Sequence, residues 1–347
     1  MKKVLALVLA LMLVFSAAAF AAEYEIVSKG FQHQYWQAVL KGAQQKADEL
    51  GVTINFVGPA NESAYDEQLS QLNSAINAAP KAIGLAALST ETCLDAIADA
   101  QSKGIPIIGF DSGVPGAPEG TILANCSTNN YNAGALAAEM TWEAIADRIA
   151  AADGSVRIGI SAQDAVSESV VQRGLGFIDK IGELAAAAGY GVKLEGNERY
   201  VSDAKVEQAD DAKIVIETLV PSQVTAELSA TDCAALLNKD DIVALYGSNQ
   251  HSAEAMVTAN ENLQKLGTGD DEVIGVGFDS GAVIKAAVAD GTFLGAITQA
   301  PVAMGEALVD TLVKAANGEA VEDIDTGCQW YTAENMEDPE IAQNLYN

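Results

Sequence analysis

Two aspartates, Asp111 and Asp279, each close an apolar run and lead into Ser-Gly. Other polar residues fall at comparable places. Lys29, Gln32 and His33 lie in a segment that opens onto Tyr35 and Trp36; Asn249 stands before Gln250 and His251; Gln299 ends a further apolar run; Arg173 interrupts a stretch of apolar and small residues. Carboxylate, amide and guanidinium groups suit hydroxyls, which donate and accept at once. Flat aromatic faces suit C–H surfaces. The chemistry open to this set is the holding of a small polyhydroxylated molecule. Taken singly, the residues have duller readings: the aspartates as turn formers before glycine, Arg173 as a surface ion pair, Tyr35 and Trp36 as core. Adjacent aromatics on a helix cannot both face one core, so at least one is expected at a crevice. His33 and His251 are the only histidines. Lacking a convincing catalytic partner, they are expected to donate hydrogen bonds behind the ligand contacts.

These residues need strand ends to stand on. From Glu23 onward short apolar runs alternate with helical periodicity, the pattern of parallel strands covered by crossover helices. Strands are predicted at 25–28, 52–57, 82–86 and 105–110, separated by helices over 36–50, 64–78 and 91–103. The first helix carries Trp36, Leu40, Ala43, Ala47 and Leu50 on one face and stops at Gly51. A loop rich in glycine and proline, 113–120, precedes a strand at 121–125, after which the alternation restarts as if a second domain begins. Its first helix places Tyr131, Ala135, Ala138, Trp142, Ile145 and Ile149 on one stripe, which is expected to lie against a sheet. Strands at 156–161, 192–200, 241–246 and 272–278 and helices through 170–184 and 222–238 continue the unit. The acidic stretch 202–211 and the extended stretch 213–220 are read as an added hairpin. In open parallel sheets ligands sit beyond the carboxyl ends of the strands, where the polar residues above fall.

Lys2 and Lys3, the apolar run from Val4 to Phe15 and Ala19-Phe20-Ala21 have the layout of a cleavable signal peptide over residues 1–21. The mature chain is expected to begin near Ala22, soluble and periplasmic or secreted. The first cysteine is Cys93, so no lipid anchor at a processed N-terminal cysteine is expected. Of the 347 residues, 49% are apolar, enough for two sizeable cores. A formal charge of −29 argues against nucleic acid or anionic lipid as a partner. Cys93, Cys126, Cys233 and Cys328 are scattered without metal-ligand spacing and read as buried small hydrophobes, although export would permit a disulfide. No metal and no cofactor are expected. Gly275-Val-Gly277-Phe-Asp-Ser-Gly281 departs from the dinucleotide spacing and puts an aspartate where phosphate would sit. Asp111 and Asp279 as a glycosidase pair in an exported hydrolase are the enzyme alternative; the expectation is that the chain is not an enzyme.

These markers gather into a resemblance. The run from Ser28 to Ala43 with Tyr35-Trp36 and Lys41-Gly42-Ala43, then Ile105-Pro-Ile-Ile-Gly-Phe-Asp111, Arg173-Gly-x-Gly-Phe177, Tyr246-Gly-Ser-Asn249, Val276-Gly-Phe-Asp279 and Ile297-Thr-Gln299-Ala-Pro301 resemble the ribose- and galactose-type periplasmic binding proteins. The markers follow that family's order across nearly the whole mature chain. The resemblance implies a type I binding-protein fold: two Rossmann-like α/β domains with parallel sheets, joined by a three-strand hinge. The lobes are taken as residues 22–127 with 300–328 and 128–299 with 329–347. It implies that Tyr35 and Trp36 sandwich a sugar ring while Asp111, Arg173, Asn249, Asp279 and Gln299 bind its hydroxyls. The implied partners are a small sugar or polyol and an ABC transporter permease, with a chemoreceptor or sensor kinase as the alternative reader of a monomeric protein. Departures bear on the ligand. Ser112 stands where the ribose pattern has arginine, and Gln223, counted back from Asn249, stands where an aromatic residue is expected. Lys29 and the Asp111-Ser112 pair are similar to the autoinducer-2 and rhamnose-binding branch. Pentoses, hexoses, deoxysugars, polyols, autoinducer-2 and nucleosides all stay open as ligands.

Overall fold

Strand-length apolar runs alternating with amphipathic stretches build two parallel sheets, each covered by helices on both faces, in a computed structural model that describes residues 22–31 and 33–346. The proposed signal peptide lies outside the described residues. In the first lobe β1 (Tyr24–Val27), β2 (Ile54–Val57), β3 (Ala82–Leu85), β4 (Ile107–Phe110) and β5 (Ile122–Ser127) alternate with α1 (Gln34–Leu50), α2 (Tyr65–Asn77) and α3 (Leu94–Ser102). The second lobe contributes α4 (Asn130–Ala151), β6 (Val156–Ser161), α5 (Glu168–Ala187), β7 (Val192–Gly196), α6 (Glu198–Asp203), β8 (Ile214–Leu219), α7 (Ala226–Leu237) and β9 (Ile242–Gly247). It continues with α8 (Gln250–Leu263), β10 (Ile274–Phe278), α9 (Ala282–Ala289) and β11 (Gly295–Gln299). The chain then returns through α10 (Pro301–Ala316) and β12 (Ile324–Asp325) to the first sheet, and β13 (Cys328–Tyr331) and α11 (Pro339–Ala342) end it.

Strand order is β12-β5-β4-β3-β1-β2 in one sheet and β13-β11-β10-β9-β6-β8-β7 in the other. The ladders are parallel except where β13 runs antiparallel to β11. The chain passes between the sheets three times, from β5 to α4, from β11 to α10 and from β12 to β13, which is the three-strand connection that the resemblance implies.

Each sheet buries both faces, as crossover helices require. Ile26, Phe110, Leu308 and Leu312 pack between the first sheet and α1 and α10, while Ile83, Ile107, Leu72 and Ile97 fill its other side. In the second lobe Ile158, Phe177, Ile181 and Ile149 lie under α4 and α5, and Leu245, Met256, Ile284 and Phe293 lie opposite. Each such side chain stabilises the fold by about 1.5–3 kcal/mol.

Four expectations need correction. Leu50 is exposed and Leu40 half-buried; the buried face of α1 runs instead through Tyr35, Trp36, Val39, Ala43 and Ala47. In α4 the buried face is Ala133, Gly134, Ala137, Ala138, Thr141, Ile145 and Ile149, which leaves Tyr131, Ala135 and Trp142 half-buried. Small residues won that face because α5 comes too close for large ones: a Cβ on Gly134 would lie 2.0 Å from the Arg173 carbonyl oxygen. Third, 213–220 is not a hairpin arm. β8 is an interior strand, parallel to β6 on one side and β7 on the other. Its crossover hides in the sequence because α6 has six residues and buries only Tyr200, too little to show a helical period. Glu217 in mid-strand adds to the disguise; it pairs with Arg157 at 2.7 Å and Lys239 at 2.7 Å. The strand expected to reach residue 200 stops at Gly196, where Asn197 caps α6 by accepting from the Arg199 N–H at 3.1 Å.

Candidate functional site between the lobes

Phe-Asp-Ser-Gly follows the same path at the ends of β4 and β10, one strand in each lobe. Asp111 and Asp279 both take left-handed backbone angles, φ 56° and φ 75°, and each turns its carboxylate into the gap between the lobes. Aspartate tolerates this conformation better than most residues because its short polar side chain bonds locally. Three helices, α1, α5 and α8, begin at the same gap, so strand ends and helix starts converge there.

A polar cavity lies between them, walled by side chains of both lobes. Lys29, His33, Tyr35, Trp36, Glu62 and Asp111 line it from the first lobe. Val170, Arg173, Asn249, Gln250, His251, Asp279 and Gln299 line it from the second.

The polar groups are bonded to one another in a connected set. The Tyr35 hydroxyl donates to Asp111 Oδ1 at 2.8 Å. Gln299 Nε2 donates to Asp279 Oδ1 at 2.7 Å, and the Gln250 backbone N–H donates to Asp279 Oδ2 at 3.0 Å. Burial nevertheless raises the Asp279 pKa, against the pull of Arg173 and Gln299. Arg173 is buried, donates from Nε to Asn130 Oδ1 at 2.8 Å, lies 4.0 Å from Asp279 and stacks 4.0 Å above the Phe278 ring. That settles its duller reading: it is no surface ion pair. Asn249 caps α8 with its Oδ1 and donates to Gln163 Oε1 at 2.8 Å. Gln250 Oε1 is buried with no hydrogen-bond partner among the described residues.

Lys29 spans the gap. From the end of β1 its ammonium donates to Ser167 Oγ at 2.9 Å and Ser169 Oγ at 3.1 Å on the second lobe, and pairs with Asp111 at 3.6 Å. Burial opposes the charge, but Asp111, Glu62 and Asp164 outweigh it and raise the lysine pKa. These contacts to Ser167 and Ser169 tie the two lobes together.

Not every expected residue reaches the cavity. Ser112 is fully buried beside it, 3.4 Å from Ser167 Oγ, and accepts from the Ser169 N–H at 3.3 Å, so it joins the lobes instead of lining the space. Gln223 is exposed in the loop after β8 and lines a separate groove, away from the cavity. Gln32 lies outside the described residues. Tyr35 and Trp36 both line the cavity and both belong to the first lobe's core. Their rings meet edge to face, 5.0 Å apart at 84°, so no sugar ring fits between them and the sandwich is excluded. His251 is partly engaged by Ser229 Oγ at 2.8 Å; burial and then the His33 charge lower its pKa.

Glu62 went unrecognised in the sequence. It follows β2 at its carboxyl end, and that position alone was the available signal. It accepts from Trp36 Nε1 at 2.8 Å and from Gln163 Nε2 at 3.1 Å. Burial would raise its pKa, yet Lys29, His33 and these two donors hold it at about 2.

A family model described as the periplasmic binding protein domain matches residues 24–320. The ribose import binding protein RbsB of Haemophilus influenzae is 24% identical over 328 residues, covering 93% of this chain and 96% of that one. The D-allose-binding periplasmic protein of Escherichia coli is 30% identical over 151 residues, which span 42% of this chain and about half, 47%, of that protein. A solved structure from Brachyspira murdochii, titled as an ABC transporter, LacI family transcriptional regulator, superposes with a TM-score of 0.79 at 33% identity over 94% of this chain and 99% of that one. An ABC transporter solute-binding protein of Agrobacterium vitis with bound D-fucose gives 0.77 at 27% identity over 93% and 99%. With two parallel-sheet lobes joined by three crossings around one polar cavity, the chain belongs to the periplasmic binding proteins, in the type I form.

Proposed function

We propose that this protein captures one neutral monosaccharide outside the cytoplasm and presents it, enclosed, to the permease of an ABC transporter. The observation that carries this reading is a cavity between the lobes with a carboxylate from each, Asp111 and Asp279, among amides and a guanidinium. The names of the relatives, ribose, D-allose and D-fucose, are all of neutral sugars. In this reading Asp111, Arg173, Asn249, Asp279 and Gln299 bind hydroxyls, and the edges of Tyr35 and Trp36 pack against the ring. Gln250 Oε1 accepts a further hydroxyl. Hydrogen bonds to charged groups, each worth about 1.5–3 kcal/mol net, support micromolar or tighter binding, about −8 kcal/mol or better.

The moving bodies in this proposal are residues 22–127 with 300–328 and 128–299 with 329–347. A ligand that touches both is bound fully only when they are shut, so it selects the closed form. The site holds its ligand without reacting with it. Export by cleavage near Ala21/Ala22 and the lack of a lipid anchor belong to the same proposal; N-terminal sequencing of the exported protein is expected to begin near Ala22, and an intact leader overturns it. The central test is calorimetry with pentoses, hexoses, deoxysugars, polyols, nucleosides and autoinducer-2. Binding of a sugar is expected, and a panel with no sugar bound removes the reading.

A further inference from the structure

Gln163 lies beside the cavity without lining it, and every polar atom of its side chain is engaged. Its Nε2 donates to Glu62 Oε2 at 3.1 Å and Asp164 Oδ2 at 3.2 Å, while its Oε1 accepts from Asn249 Nδ2 at 2.8 Å. Glu62 in turn accepts from Trp36 Nε1 at 2.8 Å. An unbroken hydrogen-bonded row therefore crosses from α1 of the first lobe to the cap of α8 in the second. The loop position of Gln163 is itself fixed, because Asp164 Oδ1 accepts from the N–H groups of Val166 at 2.9 Å and Ser167 at 2.7 Å.

The row separates two spaces. On one side is the cavity, walled here by Glu62 and Asn249. On the other is a groove of about 530 Å³, also between the lobes, lined by Ser63 and Tyr65 of the first lobe and by Gln163, Asp164, Val220 and Pro221 of the second. The loop after β8 sends no aromatic side chain into the boundary; residues 220–225 are Val, Pro, Ser, Gln, Val and Thr.

We propose that the Glu62–Gln163–Asn249 row is a partition that limits the ligand to one ring, with Gln163 as the residue that sets the limit. This rests on the monosaccharide reading above. A ring substituent aimed at the groove has to displace the Gln163 amide. That strands a buried carboxylate and a buried amide, and the cost of unmade bonds exceeds what the substituent gains in the groove. Without the Gln163 side chain the two spaces join, and a second ring or an aryl group has room beyond the first.

The test is calorimetry on the mature protein with D-ribose, D-allose and D-fucose, and with the methyl and p-nitrophenyl glycosides of each in both anomers. Wild type is expected to bind at least one free sugar and to bind its p-nitrophenyl glycosides roughly 100-fold more weakly or worse. In Gln163→Ala the penalty for one anomer is expected to fall by roughly tenfold or more, with the free sugar weakened by less than about tenfold. Gln163→Asn, which keeps an amide on a shorter stem, is expected to gain in the same direction and carries the test if the alanine variant does not fold. The same glycoside-to-sugar ratio in wild type and variants overturns the partition, as does a wild type that binds glycosides and free sugar equally. If no sugar of the wider panel above and no glycoside binds the wild type, the monosaccharide reading falls and the partition with it.

Discussion

Asp111 and Asp279 owe their aim to backbone more than to side chain. Each sits at positive φ at a strand end, so the carboxylate leaves the sheet in one direction only. Asp111→Ala and Asp279→Ala are each expected to weaken sugar binding by about tenfold or more while the thermal melt stays cooperative; calorimetry showing wild-type affinity in both removes them from the site. Trp36→Ala is a poorer probe, because Trp36 is 1% exposed within the core and its loss costs about 3–5 kcal/mol of stability. Glu62 makes a pH prediction with a definite sign. Its folded pKa of about 2 lies below the ordinary 4.5, so its contribution is complete above about pH 4.5 and drains away as pH falls toward 2. Asp279, raised by burial, runs the other way, its folded form gaining as pH falls. The stability difference between wild type and Glu62→Gln is therefore expected to shrink between about pH 5 and pH 2, and urea midpoints that stay equally far apart contradict the assignment. Neither Glu62 nor Gln163 stood out in the sequence, because a single carboxylate or amide in a polar loop carries no period and no spacing. Their roles come from a contact across 101 residues.

At the scale of elements, the pair α4 and α5 places Arg173. The helices meet through Gly134 and Gly176, whose added Cβ atoms would each lie 2.0 Å from a carbonyl oxygen of the facing helix. Close backbone approach lets the arginine at that crossing turn inward over Phe278. Gly134→Ala is expected to force the helices apart and cost about 1–3 kcal/mol, read as a lower urea midpoint; an unchanged midpoint means that the crossing yields without strain. The alternation of strands and helices was legible because most elements bury one regular face. It failed at α6 and β8. There a short helix covers almost nothing, and a charged row, Arg157 with Glu195, Glu217 and Asp241 at 2.7–3.0 Å, serves the strand face in place of apolar packing.

For the whole molecule, the lobes touch through bonds that need no ligand. Lys29 reaches Ser167 and Ser169, Ser112 meets Ser167, Glu62 meets Gln163, and the Ala282 N–H donates to Gln34 Oε1 at 3.1 Å. The C-terminal tail joins in: Tyr346 packs 5.9 Å from Tyr35 and accepts from the Ser280 N–H at 3.3 Å. Contacts of this kind raise the closed fraction of the empty protein, and apparent affinity scales with that fraction. Removing both hydroxyls in Ser167→Ala/Ser169→Ala is expected to weaken every bound sugar by one common factor and to enlarge the empty protein in solution scattering. A changed ranking among sugars instead places the serines in recognition.

What the sequence determined by itself is local and periodic: the strand and helix alternation, the restart near residue 128, and the polar residues that end strands. Such signals survive in one dimension because each depends on neighbours within a few positions. Tertiary structure alone decided which of those polar residues meet. It drew Ser112 out of the cavity and Glu62 into it, turned Tyr35 and Trp36 edge to face, and set Gln163 between two spaces. Each of these depends on how two lobes approach, and no periodicity along the chain encodes that distance.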